Sequence, residues 1–279
     1  MALQELDNSN IAVHLGAISK YKSSYDPSLL VREPRQSNRT HLGIQDDDLP
    51  FEGGDTWNAY EVSGLTNTGL PVAGVGKIYY PCDGKYIVES KSIKLYFNSF
   101  NMTKLGDTSK EVREEIGRRA SVDLSELLEV DVEVKIFSNR EVLDAKVTPR
   151  YEWMHLDFEY QTLEEVYPIE GVEFSVYQET PELLKVIDNP LKDKTIKYHS
   201  ALLKSNCRVT SQPDWGDVYI EFKGEKAVDP ISLLQYIVSF RDECHFHEEI
   251  CEAITKRLID VLDPEELVVR CLYARRGGI

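Results

Sequence analysis

Tyr96-Phe-Asn-Ser-Phe100 and Tyr236-Ile-Val-Ser-Phe240 decide the fold, because they are two versions of one pattern separated by 140 residues (236 − 96). Each stretch follows two strand-like segments and lies where apolar residues recur with helical spacing. A second amphipathic segment and a strand-like segment then follow in both halves. The order strand, strand, helix, helix, strand is therefore predicted twice, as in a duplicated domain.

The first half has clear element signals. Thr108 and Glu111 form the pattern of a capping box, which indicates the start of a helix. Alternation of apolar and charged residues over 130–137 predicts a strand. The remaining predicted elements are strands over 57–63 and 72–80 and a helix over 89–102. Residues 1–50 are polar, and 34–50 is predicted to be an extended lead-in.

The second half repeats this order with its own signals. Asp229-Pro230 is typical of a helix start, with the acid as cap and proline at the first helical position. The other predicted elements are strands over 196–210, 217–222 and 267–273 and a helix over 247–262. Gln212-Pro-Asp-Trp-Gly216 is predicted to be a turn, and the offset aligns Ser63 with Cys207.

Composition excludes several classes of protein. The formal net charge of −16 disfavours a nucleic-acid binder, which needs basic side chains to neutralise phosphates. No apolar run reaches the ~18 residues that a membrane span needs. The first 21 residues lack the pattern of a secretory signal, and the five scattered cysteines are typical of reduced thiols. We expect a cytoplasmic protein that acts on a small molecule.

Cys207 is the first candidate for chemistry. It follows a strand-like segment, and Asp214 lies seven residues further on (214 − 207). A carboxylate beside a thiol can move the thiol proton, so the two residues form a candidate nucleophile and proton relay. Position alone favours a plainer interpretation, in which Cys207 is an inert buried thiol and Asp214 only helps to form a turn.

His247 and Glu248 open the last long helix. The helix dipole stabilises a glutamate at a helix start, so Glu248 can be interpreted simply as a capping residue. In the functional alternative, His247 and Glu248 together bind a purine-like ligand. A competing interpretation is a zinc site built from Cys244, His245, His247 and Cys251, three of which have helical spacing. No second cluster supplies a clear fourth ligand, so we expect no metal.

Two segments are candidates for binding phosphate. Lys91 and Lys94 lie near a predicted helix start, where backbone amides and lysines favour anions. Arg275-Arg-Gly-Gly278 combines two guanidinium groups with two glycines, although a basic tail explains it equally well. No Gly-x-Gly-x-x-Gly follows a strand, so a dinucleotide would have to bind without a Rossmann fingerprint.

Four blocks of the chain together resemble the 7-cyano-7-deazaguanine reductase family. The blocks are Glu89-Ser-Lys-Ser-Ile-Lys-Leu-Tyr-Phe-Asn-Ser-Phe100, Ser205-Asn-Cys207 with Gln212-Pro-Asp-Trp-Gly216, Phe246-His-Glu248, and Arg275-Arg-Gly-Gly278. The resemblance covers roughly 57–279 and matches the longer, two-module type. It implies an α+β protein of two tandem tunnelling-fold modules, each an antiparallel sheet with two helices on one face. The expected division is 1–50 as lead-in, 51–139 as first module and 140–279 as second module.

The resemblance also implies an activity and the residues that carry it. The family reduces the nitrile of 7-cyano-7-deazaguanine to an aminomethyl group in queuosine biosynthesis, with two NADPH in succession and a covalent thioimide. Carried over to this chain, Cys207 is the nucleophile and Asp214 the proton relay. The substrate contacts are Val88, Glu89, Ser90, His247 and Glu248. The NADPH contacts are Ser90, Lys91, Arg276 and Gly277.

The resemblance further implies a homodimer that binds no nucleic acid directly. Two other functional classes stay open on the residues alone. One is a zinc-dependent cyclohydrolase of the same fold acting on GTP, and the other is a ligand-binding barrel without catalysis. Zinc content distinguishes the first alternative, and an unreactive Cys207 would favour the second.

Overall fold

The computed structural model describes residues 24–138, 141, 160–191, 194–208, 211–275 and 277–279. The chain divides into two compact units, 1–155 with 275–279 and 156–274. The predicted division at 139/140 falls on residues outside the described ranges and stays a prediction. In the described part of the chain, no helix is long and apolar enough to cross a membrane.

The first unit is a four-stranded sheet with two helices on one face. Among the described residues, this unit has six strands, four in the sheet and two in a separate pair: β1 (Arg32–Pro34), β2 (Gly54–Thr66), β3 (Pro71–Pro81), β4 (Tyr86–Val88), β5 (Lys104–Gly106) and β6 (Glu133–Phe137). Its helices are α1 (Gln36–Arg39), α2 (Ser90–Ser99) and α3 (Ser109–Leu128). The sheet order is β5-β2-β3-β6, and β1 pairs separately with β4. Apolar residues of α2 and α3 pack with those of β2 and β3 in one core.

The second unit repeats this plan. Its strands are β7 (Gln161–Thr162), β8 (Val186–Asp188), β9 (Ile196–Cys207), β10 (Pro213–Lys223), β11 (Lys226–Val228), β12 (Cys244–His245) and β13 (Glu266–Tyr273). Its helices are α4 (Leu163–Val166), α5 (Pro230–Ser239) and α6 (His247–Leu262). The sheet order is β12-β9-β10-β13, with β7 also beside β9, and β8 pairs with β11.

The repeated pattern makes the same contacts in both units. Ser99 and Ser239 are fully buried, and each hydroxyl donates to the carbonyl of the tyrosine three residues earlier, at 2.6 and 2.7 Å. Two turns before Ser99 and Ser239, the hydroxyls of Ser92 and Ser232 donate to the carbonyls of the helix caps Glu89 and Asp229, at 2.7 and 2.8 Å. The duplication predicted from the two short stretches is therefore visible in the hydrogen bonding.

Two sequence predictions about the region around Cys207 are wrong. Residues 213–216 of the expected turn lie in β10, because proline is tolerated at the first residue of a strand and Gly216 faces a large neighbour there. The structural counterpart of Cys207 is Thr66, not Ser63. The amides of Thr66 and Cys207 donate to Leu70 and Gln212, the residues just before the first prolines of β3 and β10.

The lead-in is not extended over its whole length. Residues 36–42 form α1 and a short 3-10 turn, because buried arginines find partners there. Arg39 is fully buried, and its guanidinium donates to Asp46 at 2.8 Å and to the carbonyl of Cys82 at 2.7 Å. Arg35 forms an ion pair with Asp55. The contacts of Arg35 with Asp55 and of Arg39 with the carbonyl of Cys82 attach the lead-in to the rest of the first unit.

Candidate active site

Cys207 and Asp214 lie on the same face of the second sheet, at the end where β9 meets β10. Asp214 is paired with Ser205, and the amide of Cys207 donates to the carbonyl of Gln212 at 2.8 Å. Cys207 is therefore the diagonal neighbour of Asp214, a relation that places two residues about 7 Å apart. Asp214 is 5% exposed and Cys207 half-buried. Strand pairing, instead of a turn, thus places the thiol and the carboxylate as diagonal neighbours on one face of the sheet.

His247 lies over this pair from the first position of α6. Its Nε2 is 3.3 Å from Oδ1 of Asp214. Its ring stacks on that of Tyr273, with centroids 3.8 Å apart and planes inclined by 2°. His247 therefore contacts the proposed relay, a contact that the sequence alone did not predict.

Glu249 joins the strand end that carries Cys207 to the start of α6. One carboxylate oxygen of Glu249 lies 2.9 Å from Nη2 of Arg208 and 3.2 Å from Nδ1 of His245, and it accepts from the amide of Phe246 at 3.0 Å. His245 is the partner of Cys207 in the parallel β12–β9 pairing. Burial alone would lower the pKa of His245, but hydrogen bonding to Glu249 and the charges of Glu249 and Glu243 raise it overall.

The two adjacent glutamates at the start of α6, Glu248 and Glu249, have different roles in the structure. Glu249 makes the capping contact with the amide of Phe246, so the capping interpretation of Glu248 is not needed. Glu248 is 8% exposed and lies in the first turn of α6, where the helix dipole favours a carboxylate. A buried carboxylate one residue after His247 is suited to accept hydrogen bonds from an amidine-like edge.

The first unit places the other predicted substrate contacts at the start of α2. Val88 is buried at the end of β4, and Glu89 is the cap of α2. Its carboxylate accepts from the amides of Lys91 at 3.0 Å and Ser92 at 2.7 Å. These amides are the donors that the sequence analysis assigned to a phosphate. A phosphate here would therefore rely on side chains such as those of Ser90 and Lys91.

The C-terminal block lies beside the same helix. Gly277 has φ of +62°, and a Cβ built on it would be 3.0 Å from Nζ of Lys94. The amide of Tyr60 donates to the carbonyl of Gly278 at 2.8 Å, and the guanidinium of Arg275 lies 5.4 Å from the centre of the Tyr60 ring. The structure thus brings Gly277 to α2, which begins with Ser90 and Lys91. Arg276 lies outside the described residues.

The zinc interpretation depended on a helical spacing that the structure does not have. Cys244 and His245 belong to β12, and α6 begins only at His247. Cys251 lies further along α6 and contacts the carbonyl of Val269, with 3.8 Å between sulfur and oxygen. Among the described residues, no group of three or more His, Cys, Asp or Glu side chains is placed to hold a metal ion.

Comparison with known proteins identifies the family. Residues 21–136 match the family model described as nitrile reductase, 7-cyano-7-deazaguanine-reductase N-term. Residues 213–279 match the model described as QueF-like protein. An NADPH-dependent 7-cyano-7-deazaguanine reductase of Desulfotalea psychrophila is 38% identical over 273 residues, which are 98% of this chain and 92% of the relative. The chain belongs to the 7-cyano-7-deazaguanine reductase family.

Membership of the 7-cyano-7-deazaguanine reductase family confirms the resemblance drawn from the four motif blocks. It also confirms the fold class, an α+β protein of two tandem modules consistent with the tunnelling fold. The first matched range contains Val88 to Lys91, and the second contains Asp214, His247 and Glu248. Cys207 lies six residues (213 − 207) before the second range.

Proposed function

We propose that this chain reduces the nitrile of 7-cyano-7-deazaguanine to an aminomethyl group with NADPH, through a covalent adduct on Cys207. The observation that carries the proposal is the grouping of Cys207, Asp214 and His247 at one end of the second sheet. Family membership supports the substrate and the cofactor, because the Desulfotalea relative is named for both. The roles of individual residues are those that the family resemblance implies, and the geometry supports those of Cys207, Asp214 and His247.

The first step adds the sulfur of Cys207 to the nitrile carbon. The thiol proton passes through Asp214 to the nitrile nitrogen, so the C≡N bond becomes C=NH and a C–S bond forms with no change in net charge. A thiolate is a strong nucleophile, and the adduct carbon accepts a hydride more readily than a free nitrile does. Asp214 is suited to this relay because it is buried and ordered by His247.

Two NADPH molecules, bound in succession, would each supply one hydride, giving the four electrons that the reduction of a nitrile to an amine requires. Ser90, Lys91 and Gly277 are proposed to hold the cofactor together with Arg276. The described residues fit an anionic dinucleotide in part: Lys91 and Lys94 supply positive charge, and Gly277 has a left-handed backbone beside Lys94. Nearby Glu61, 3.4 Å from Lys94, partly offsets that charge.

The proposed substrate contacts are those that the resemblance implies, namely Val88, Glu89, Ser90, His247 and Glu248. The proposed setting is queuosine biosynthesis in the cytoplasm, with the free base as substrate and a homodimer as the working form. The net charge of −16 supports action on a small molecule instead of on tRNA. Five free cysteines suit a reducing compartment.

A turnover experiment tests the activity itself. Purified protein, 7-cyano-7-deazaguanine and excess NADPH are expected to yield the aminomethyl product with two NADPH oxidised for each nitrile consumed. Absorbance at the nicotinamide band and mass spectrometry of the base give both numbers. NADPH oxidation without an aminomethyl product, or no oxidation by folded protein, would refute the proposed function.

Replacing Glu248 by glutamine is expected to weaken binding of the base by about 10- to 150-fold, because hydrogen bonds to a charged acceptor contribute about 1.5–3 kcal/mol. Calorimetry on the Cys207→Ala background measures this affinity without the covalent step. Glu252→Gln is the matched control, since Glu252 is equally buried one turn further along α6. Equal affinities in the two variants would remove Glu248 from the substrate site.

A further inference from the structure

We infer that Tyr273 is a positioning residue for this chemistry: its ring fixes the imidazole of His247 so that Nε2 stays against Asp214. The inference rests on the proposed function, because it concerns the relay at Asp214. Nothing in the sequence pattern singles out Tyr273, which is the last residue of β13.

The stacking is close and nearly parallel. The centroids of His247 and Tyr273 are 3.8 Å apart and their planes differ by 2°. At this separation the two ring faces are in van der Waals contact, so each ring restricts the tilt of the other. A parallel ring beneath the imidazole fixes the plane in which its nitrogens point. Nε2 of the stacked imidazole is 3.3 Å from Oδ1 of Asp214, so a tilt of the ring would move this nitrogen relative to the carboxylate.

Gly216 provides the space for the Tyr273 ring. The two residues are paired in the β10–β13 ladder. A Cβ added to Gly216 would lie 3.1 and 3.2 Å from two ring carbons of Tyr273 and 3.2 Å from the carbonyl oxygen of Leu272. Gly216 and Asp214 are two residues apart in β10 and share a face. The glycine of the Pro-Asp-Trp-Gly block thus keeps the ring close to the aspartate.

The hydroxyl of Tyr273 does not explain the placement. It is buried beside the side chain of Ser205, which partly offsets the rise of its pKa, and it makes no hydrogen bond of normal geometry to the residues that the structure describes. Burial raises the pKa of Tyr273 well above its usual value, and the nearby Cys271, Cys251 and Asp214 raise it further. The hydroxyl therefore stays protonated, and the ring is the functional part of this side chain.

The test compares Tyr273→Phe, which keeps the ring, with Tyr273→Leu, which removes it. Gly216→Ala crowds the Tyr273 ring and is expected to cause a smaller loss in the same direction. The first readout is the NMR ring-current shift of the His247 ring protons in protein with labelled histidine. The chain has six histidines, and His247→Gln assigns the signal. The second readout is the rate of adduct formation on Cys207 with 7-cyano-7-deazaguanine in the absence of NADPH.

We expect Tyr273→Leu to lose the ring-current shift and to slow adduct formation about 10- to 100-fold, because small misplacements of catalytic groups have effects of that size. Tyr273→Phe should keep the shift and remain within about twofold of the unmodified protein. A normal rate in folded Tyr273→Leu, or an equal loss in Tyr273→Phe, would overturn the inference. If the unmodified protein forms no adduct, the proposed function fails instead. Alkylation of Cys207 by iodoacetamide then replaces the nitrile, and an unchanged rate in Tyr273→Leu overturns the positioning role.

Discussion

Replacing Cys207 by alanine is expected to abolish nitrile reduction, with a fall in kcat of at least about a thousandfold, the scale seen when a nucleophile is removed. The chain should still fold. Cys207 is half-buried at the end of β9, and its strand contacts are backbone hydrogen bonds that alanine retains. Intact-protein mass after mixing with 7-cyano-7-deazaguanine alone should show an adduct of the mass of the substrate, absent in the variant.

Cys244→Ala is the matched control for that experiment. Cys244 is an exposed thiol in β12, next to the strand that carries Cys207. Its loss should leave both the adduct and the turnover unchanged. If the adduct survives in Cys207→Ala, or disappears in Cys244→Ala, the assignment of Cys207 as the nucleophile is wrong. Turnover by Cys207→Ala at the normal rate would reject covalent catalysis altogether.

The second large effect that we expect is a loss of kcat when Asp214 is replaced by asparagine. Asparagine has nearly the same shape but cannot take up the thiol proton, so kcat should fall about 100- to 10,000-fold, the usual range for general acid–base groups. The KM for the base should change little, because Asp214 acts on the proton and not on the purine edge. Stopped-flow measurement of adduct formation isolates this step from later ones.

Asp217→Asn supplies the comparison for Asp214. Asp217 lies in the same strand, three residues on, with its side chain on the opposite face of the sheet. Its substitution should leave the adduct rate within about twofold of normal, the range of a surface change of at most ~0.5 kcal/mol. Equal losses in Asp214→Asn and Asp217→Asn would indicate a general effect on β10 instead of a proton relay.

The parts of the fold that were predictable are those with local causes. The capping box at Thr108 and Glu111 forms as expected, because both partners lie within one helical turn. Asp229 and Pro230 start α5 for the same kind of reason, with the Asp229 carboxylate accepting from the amide of Ser232 at 2.9 Å. The spacing of apolar residues over 247–262 predicted α6 at its observed bounds.

The parts that failed depend on partners distant in sequence. Trp215 and Gly216 look like turn formers in isolation, but pairing with β9 and β13 places them in a strand. The short strands β5 and β12 have few residues of their own and exist because β2 and β9 offer free edges to pair with. Apart from the zinc alternative, sequence reasoning had no role for His245, since its partner Glu249 is seen only when the strand and the helix start are placed together.

The candidate site also has parts that the sequence predicts and parts that only the structure shows. Cys207, Asp214, His247 and Glu248 came from motif resemblance, and the structure supplies what the motifs lack, namely the contact between His247 and Asp214. Tyr273 was missed because a tyrosine at the end of an apolar strand has no local signature. The capping of α2 by Glu89 was also missed, and it changes how a phosphate would bind at that helix.

The match between Thr66 and Cys207 bears on how many reactive centres a chain contains. Both residues occupy the same turn of a repeated unit, with Pro71 and Pro213 following in register, and Val72 stands where the second unit has Asp214. The thiol and the carboxylate are therefore replaced together in the first unit. If the proposed chemistry is correct, each chain has one nucleophilic thiol although it has two copies of the turn. The amount of nitrile bound covalently in a titration therefore equals the number of active chains.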